Sequence, residues 1–460
     1  MATVAESLAK LTLDLTAETI PAPAMESAKA CVMDYLGALL AGFDLEPARA
    51  VRDWVRHYGG TPEATVLGTG AKVPAAQAAL TNGTTGHMVE LDDVHSAAIG
   101  HPGVAVIPAA LACAEARGLD GGRFLSCVVA GYEVMARMGL YMGIGHYAVW
   151  HPTATLGTLG ACAAACQALG LSAGQATNAI AIAATMASGL REVFVGGSHC
   201  KHLHPGLAAR NGVTAAELAW ISFTGPGTAI EGPMGFKVAH SGAGDRSGLA
   251  GLANGRLHIQ DTEFKVFASC RSAHTAAEAG ILMHRAGLAS PDIYSIVLEV
   301  PAVIADDPAW GNLIPRNALA AKLSVAYNFA IALLDGACYL DQFTAEKISS
   351  PQVRDLLSRT TLAASGDKDL AYPLHTGVRA TVWTRNDRMW VQDLTVAVGH
   401  PLRPVSPEDL QRKFLGLAEP VIGERARQVM KMVLALDAAP DLTGMVRLCS
   451  SNGGVLDGAR

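Results

Sequence analysis

Residues 138–190 read MGLYMGIGHYAVWHPTATLGTLGACAAACQALGLSAGQATNAIAIAATMASGL, 53 residues without an Asp, Glu, Lys or Arg. That length invites a membrane-span reading. Its apolar content, however, is Ala, Gly and Thr rather than Leu, Ile and Phe, and His146, His151, Pro152, Gln167, Gln175 and Asn178 interrupt it. Small residues at helical spacing let backbones approach closely, so the segment predicts buried, tightly packed helices.

Working outward, apolar periodicity predicts helices near 3–17, 24–41, 74–87, 104–117, 121–140, 153–169, 173–188 and 205–222, with stops at Gly118, Gly170, Gly189 and the Gly-Pro-Gly run at 225–227. Beyond about residue 260 the pattern changes. Residues 294–303 (YSIVLEVPAV) read as a strand, and 377–398 contain two more, VRATVWT and MWVQDLTVAV, joined by a hairpin turn at Arg385, Asn386, Asp387 and Arg388. Val378, Ala380 and Val382 alternate with Arg379, Thr381 and Trp383, which predicts one packed face and one partly wet face. Residues 316–336 and 351–358 look helical, and the helical pattern returns from 406 to the mid-430s. The expected fold is mainly α: a large all-helical domain, 1–262 completed by 399–460, interrupted by a smaller α+β lid at 263–398, with a ligand cleft between them.

Composition narrows the function. A 460-residue chain that is 50% hydrophobic and only 17% charged is neither disordered nor a coiled coil. Its 35 basic against 41 acidic residues leave no electrostatic footprint for a nucleic acid or an anionic membrane. Nine cysteines, an odd number without a CxxC pair, together with Glu6, Lys10, Asp14 and Glu18 breaking up the start, point to a cytoplasmic protein with reduced thiols.

P-loop, GxGxxG and HExxH signatures are missing, so the chemistry must come from less familiar clusters. Glu90, Asp92, Asp93 and His95 precede His101-Pro102-Gly103. So many ionisable groups, in a chain this poor in charge, are costly to bury unless paired or used. An exposed capping turn is the ordinary reading. The sharper one makes His101 a general acid or base, with Glu90, Asp92 or Asp93 orienting imidazoles. His151, in Trp-His-Pro-Thr at a helix start, is either a satisfied core imidazole or one placed where anions bind. His199, Cys200, Lys201, His202 and His204 form an anion pocket around Lys201 or a metal site. Lys265, Arg271 and His274 would make a carboxylate clamp. Between them, Cys270 is a nucleophile or, more ordinarily, a small buried residue.

Taken in order, ELDD with HPG (90–103), GYEVMAR (131–137), WHPTATLGTLGA (150–161), KHLHPGLAARNG (201–212), SFTGP and EGPMGF (222–236), SCRSAH (269–274) and SVAYNFAIALLDG (324–336) span nearly the whole chain. This set resembles the MmgE/PrpD family, whose members include 2-methylcitrate dehydratase, cis-aconitate decarboxylase and iminodisuccinate epimerase. The resemblance implies a homodimer of two-domain subunits, working without a metal or organic cofactor on small di- or tricarboxylates. It matches His101 and His151 to the family's catalytic histidines, Lys201 and Lys265 to its lysines, and Tyr327 to the Tyr of the helix ending in LLDG. Glu90 stands where several members carry Asp, followed by the acidic pair Asp92 and Asp93. Cys270 stands, as in dehydratase-like members, where the animal decarboxylase branch has His.

The expected site is therefore catalytic His101, His151 and Tyr327, with Glu90, Asp92, Asp93, Lys201, Lys265, Cys270, Arg271 and His274 binding substrate. The expected activity is a lyase, dehydratase or decarboxylase, that moves a proton next to a carboxylate. The alternatives are an epimerase of a substituted succinate using the same residues, and a metal-dependent hydrolase using Asp92, Asp93, His95 and the 199–204 histidines.

Overall fold

The computed structural model describes residues 2–252, 255–369 and 371–450. Its 59% helix and 8% strand make the chain mainly α, in two domains. The uncharged stretch forms helices Pro152–Ala168 and Ala173–Met186, the first buried on nearly every side against Gly103–Arg117, Gly121–Met142 and Cys200–Trp220. Small residues make that packing possible. A Cβ added at Gly160 would fall 2.8 Å from the Gly131 carbonyl oxygen, and one at Gly212 would fall 2.5 Å from the Cys162 nitrogen. Among the described residues no helix is long and apolar enough to cross a membrane.

The remaining long helices follow the sequence reading to within a few residues, except that the single helix expected over 316–336 breaks at Ser324 into Ala318–Leu323 and Val325–Asp335, the Ser324 hydroxyl accepting the Tyr327 N–H. Glu46–Tyr58 is an additional helix that buries only Ala48 and Val55. Its apolar residues Ala48, Val51 and Val55 do recur at helical spacing among the charges, a short stripe that the sequence reading passed over. The helical domain also holds a two-residue antiparallel ladder, Ala64–Thr65 with Lys72–Val73.

In the second domain four strands lie in the order Thr360–Ala364, Ile293–Val300, Val378–Thr384, Met389–Leu394. The first pair is parallel and the others antiparallel. The hairpin turns where expected: Asp387 has φ 58° and the Thr384 N–H donates to the Arg388 carbonyl over 2.9 Å. Thr360–Ala364 was not legible as a strand because TTLAA carries little apolar alternation. Thr381, expected on the wet face, is buried because it sits between Val297 and Val391 on the neighbouring strands. Helices His274–Arg285 and Val325–Asp335 pack on each other beside this sheet.

Two apolar cores result. One is helical and includes Phe414, Val429 and Met445 from the C-terminal tail. There helix Pro407–Ile422 lies on Ala22–Gly42, and Lys413 pairs with Asp34 at 2.5 Å. Residues 451–460, assigned to this domain from the sequence, lie outside the described residues. The other core belongs to the lid but takes in Ala38, Val89, Leu91, Tyr147 and Phe194 from the helical domain. At this seam the Arg191 guanidinium pairs with Asp307 and lies 4.6 Å from the Tyr147 ring centroid and 4.9 Å from that of Trp310.

Candidate active site

The segment between helices Ala75–Gly86 and Gly103–Arg117 is irregular, and its charged groups Glu90, Asp92 and Asp93 are buried. Glu90 takes a left-handed φ of 57°, unusual for a residue with a Cβ. Val94 and Glu263 exchange backbone hydrogen bonds of 2.9 and 2.8 Å, which ties the segment to the start of the lid and brings Lys265 beside it.

Glu90 is the anchor for two cations from different domains. The Lys201 ammonium, in the first turn of Cys200–Trp220, donates to Oε1, and Lys265 Nζ lies 3.4 Å from Oε2. Lys265 also lies 3.9 Å from Asp92 Oδ1. Burial by itself would raise the Glu90 and Asp92 carboxyls. The Lys201 and Lys265 ammonium groups and the His87 imidazole beside Glu90, and His87, Lys265 and the His101 N–H beside Asp92, outweigh it and hold both well below the usual range. Burial likewise opposes the Lys265 charge, but Asp92 and Glu90 raise its pKa on balance.

His101 Nδ1 lies 2.7 Å from the Asp93 carbonyl and 3.1 Å from Asp92 Oδ2. Both are acceptors, so Nδ1 carries the proton and Nε2 holds a free lone pair. Burial and the Lys265 charge push the imidazole down to about 4 against the pull of Asp92, so it is neutral at pH 7. Its side chain is 12% exposed, against 0% for His87 and 1% for Asp92, so within this group it is the member that reaches open space. His151, just before helix Pro152–Ala168, has its Nδ1 3.0 Å from His204 Nδ1 and its ring against Phe194. Burial, with the His204 imidazole and the Lys201 ammonium nearby, holds it well below its ordinary value.

Other expected members go elsewhere. Asp93 is engaged within the protein: its Oδ1 accepts the Gly103 N–H at 2.9 Å at the start of Gly103–Arg117, and the Tyr132 hydroxyl donates to Oδ2. Burial, with Asp34 nearby, pushes its carboxyl up to about 7. Glu90 and Asp92 are engaged by lysines and imidazoles, which suits holding cations rather than meeting an anionic substrate. Arg271 donates to the Pro373 carbonyl at 2.5 Å and lies 3.7 Å from Glu263, while His274 meets the Ser269 carbonyl and the Phe267 ring. Lys265, Arg271 and His274, expected as a clamp, line one small pocket with Glu263 and His400, and of the three Lys265 is the one on the acidic pair. The half-buried Cys270 adjoins Lys265 and raises it slightly further. Tyr327 is not brought to the cluster. Its helix faces the lid core, its hydroxyl donates to the Gln342 carbonyl at 2.6 Å, and its ring rests near Phe343.

The structure adds residues that the sequence reading missed. His87 occupies the centre, 2.8 Å from Asp92 and 2.7 Å from Lys201. It ends a helix of small uncharged residues, and nothing in its neighbours signals a role. Lys322, a lone cation in an apolar run, donates to the Val89 carbonyl at 2.8 Å, and burial lowers it to about 8. It lines an interdomain cleft of 650 Å³ with Met88, Val89, His202, Asn317 and Phe343. A GxSxG spacing that the sequence reading passed over, at 170–174, is a surface helix cap, where Ser172 and Gln175 form a capping box.

Two sets could hold a metal ion by proximity: His87, Asp92 and His101, and His87, Glu90 and His202, each with ligand atoms within 4.8 Å of one another. Both need His87, whose nitrogens already face Lys201 and Asp92, and Lys265 adds a second ammonium beside the carboxylates. A dication would sit against two positive charges, so the donor set fits a metal poorly.

Two family models match, the MmgE/PrpD N-terminal domain over residues 6–247 and the MmgE/PrpD C-terminal domain over residues 267–438. The chain is 29% identical over 458 residues to a cis-aconitate decarboxylase of Homo sapiens, covering 92% of this chain and 90% of that protein. It is 27% identical over 465 residues to the cis-aconitate decarboxylase of Aspergillus terreus, covering 95% and 93%. It is 26% identical over 474 residues to the cis-aconitate decarboxylase-like protein oryM of Aspergillus oryzae, covering 97% of each.

Proposed function

The chain belongs to the MmgE/PrpD family and is an enzyme of its dehydratase/decarboxylase type, and on that premise we propose a cofactor-free lyase acting on a small di- or tricarboxylate such as cis-aconitate. The observation that carries the reading is the meeting of His101, with its free Nε2, and the ammonium groups of Lys201 and Lys265, one from each domain, around Glu90 and Asp92. A carbon next to a carboxylate is a weak acid, so substrate charge must be neutralised before an imidazole can move its proton. With Lys322 included, three ammonium groups face two ionised carboxylates, which leaves a positive excess for an anionic substrate.

Either lyase reaction balances on these groups. In decarboxylation of an unsaturated tricarboxylate, the electron pair of the C–CO₂ bond forms a new double bond, and the former double bond's pair takes a proton from protonated His101. In dehydration, His101 Nε2 takes the proton next to a carboxylate, and the resulting pair expels the hydroxyl, which leaves as water on taking up a proton. The relatives' names favour decarboxylation.

The pH profile separates the two. Because free His101 titrates at about 4, a required base gives a kcat/KM that is flat from about pH 5 to 7 and falls only at more acid pH. A required acid makes it fall about tenfold per pH unit across the same range. Above about pH 8, loss of the Lys322 proton removes a cation and raises KM in either case.

The test of the function itself is incubation in D₂O with cis-aconitate, citrate, methylcitrate and substituted succinates, followed by NMR. Released CO₂ with deuterium in the product indicates decarboxylation, and a new alkene without CO₂ indicates dehydration. Solvent deuterium without net conversion means an epimerase, and no change with any compound removes the proposal. Activity should survive exhaustive dialysis against a chelator, whereas its loss and recovery with added metal would favour the hydrolase alternative.

The same reading includes a cytosolic homodimer. Nine free cysteines support a reducing compartment. Exposed Leu140, Ile144, Val149, Leu190 and Val195 on adjoining segments, with Met234 and Val238, offer an apolar surface to a second copy. A monomeric mass in solution would remove that part.

A further inference from the structure

The imidazole at the centre of the cluster has both nitrogens engaged and a side chain that is 0% exposed. Nε2 lies 2.7 Å from Lys201 Nζ, and Nδ1 lies 2.8 Å from Asp92 Oδ2. An ammonium has only protons to offer, so Nε2 must accept, and the ring proton must sit on Nδ1 and point at Asp92. Asp92 Oδ2 then receives two N–H groups, from His87 and from His101 at 3.1 Å. Their rings lie 4.9 Å apart, which leaves little freedom for either to turn.

We propose that His87 is a positioning residue: Lys201 imposes its tautomer, and His87 in turn fixes Asp92 so that His101 keeps its proton on Nδ1 and its lone pair on Nε2. This rests on the reading of His101 as the proton-transfer group. It couples the group that holds substrate charge to the group that moves the proton, through Lys201, His87, Asp92 and His101 in that order. The other charged or titratable groups facing His87 leave this arrangement intact. Glu90 binds Lys201 and Lys265, His202 Nδ1 meets the His87 carbonyl, and His151 lies at 6.3 Å between ring centroids, paired with His204.

The two nitrogens can be removed separately. An Asn amide nitrogen falls near the Nδ1 position and keeps the donor to Asp92 but loses the acceptor for Lys201. A Gln amide oxygen reaches the Nε2 position and keeps the Lys201 acceptor but loses the donor. The expected results are a KM raised about tenfold with nearly unchanged kcat in His87→Asn, and a kcat lowered about tenfold or more with nearly unchanged KM in His87→Gln. Equal losses in both parameters for both variants would mean simple packing and would overturn the proposal.

A second measurement does not depend on activity. Imidazole nitrogen NMR of the wild-type protein, with the His101 signals identified by their loss in His101→Gln, should find both His87 and His101 protonated on Nδ1 alone. An Nε2–H tautomer at His87 overturns the coupling even if the enzyme is an active lyase. Inactivity on every substrate, with both tautomers as stated, sinks the functional reading and leaves the coupling standing.

Discussion

Replacing His101 with Ala should lower kcat by at least about a hundredfold while the protein stays folded, because general acid–base catalysis by a placed imidazole contributes roughly 10²–10⁴. His101 combines three properties within its cluster: a fixed tautomer, a free Nε2 and a partly exposed ring. His87 has both nitrogens occupied, and His151 shares its Nδ1 with His204. The substitution should disturb folding little. Asp92 keeps His87 as a donor, and the start of helix Gly103–Arg117 keeps its Asp93 cap. Near-normal kcat in His101→Ala, with an unchanged melting temperature, would take the proton-transfer role away from this residue. A loss confined to KM would make it a binding group instead.

Removing Glu90 should have the largest effect on stability. Lys201 and Lys265 are almost wholly buried, with side chains 3% and 1% exposed, and Glu90 is the carboxylate they share. Breaking a buried ion pair by deleting one partner costs about 3–5 kcal/mol, because the remaining charge stays buried and uncompensated. Denaturant unfolding of Glu90→Ala should register a loss of that size. The left-handed φ at this position gives a control, since Glu90→Gly removes the same carboxylate but also relieves about 1–3 kcal/mol of backbone strain. The glycine variant should therefore be the more stable of the two, and both should be less stable than the wild type. A wild-type-like stability for both variants would mean that the two lysines find other partners.

Stability should also depend on pH in a definite direction. His95, His101 and His204 titrate at about 4 in the folded protein, and His202 and His274 at about 3, all lowered first by burial. Their folded pKa values lie below the unfolded value of about 6.5, so the stability they contribute is fully present above pH 6.5 and is lost as pH falls toward 3 or 4. Glu90 and Asp92 are lowered as well, so their contribution begins to be lost only below the unfolded carboxylate values of about 4. Asp93, raised to about 7 by burial, opposes this trend by losing stability as pH rises from about 4 to 7. The histidines outnumber it, so the melting temperature should fall on acidification from pH 6.5.

The helical layout was legible from the chain because its signals are local. Apolar spacing, small residues and Gly or Pro stops reproduce most helices to within a few residues, and the hairpin at 385–388 falls where its turn residues lie. The Glu46–Tyr58 helix carries only the short stripe of Ala48, Val51 and Val55 among many charges, and the Thr360–Ala364 strand carries no alternation, so that packing draws it into place. Within the site, a sequence poor in charge already singled out Glu90, Asp92, His101, Lys201 and Lys265, since burying such groups unpaired is too costly to be accidental. Which group meets which was decided by the tertiary structure. Tyr327 turns into the lid core, Arg271 turns to Glu263 and Pro373, and His87, unremarkable in its own helix, becomes the centre of the cluster. The reason is physical: a periodic pattern says which face of an element is buried, but a hydrogen bond of 2.7 Å between Lys201 and His87, 114 positions apart, depends on how whole helices are set against one another.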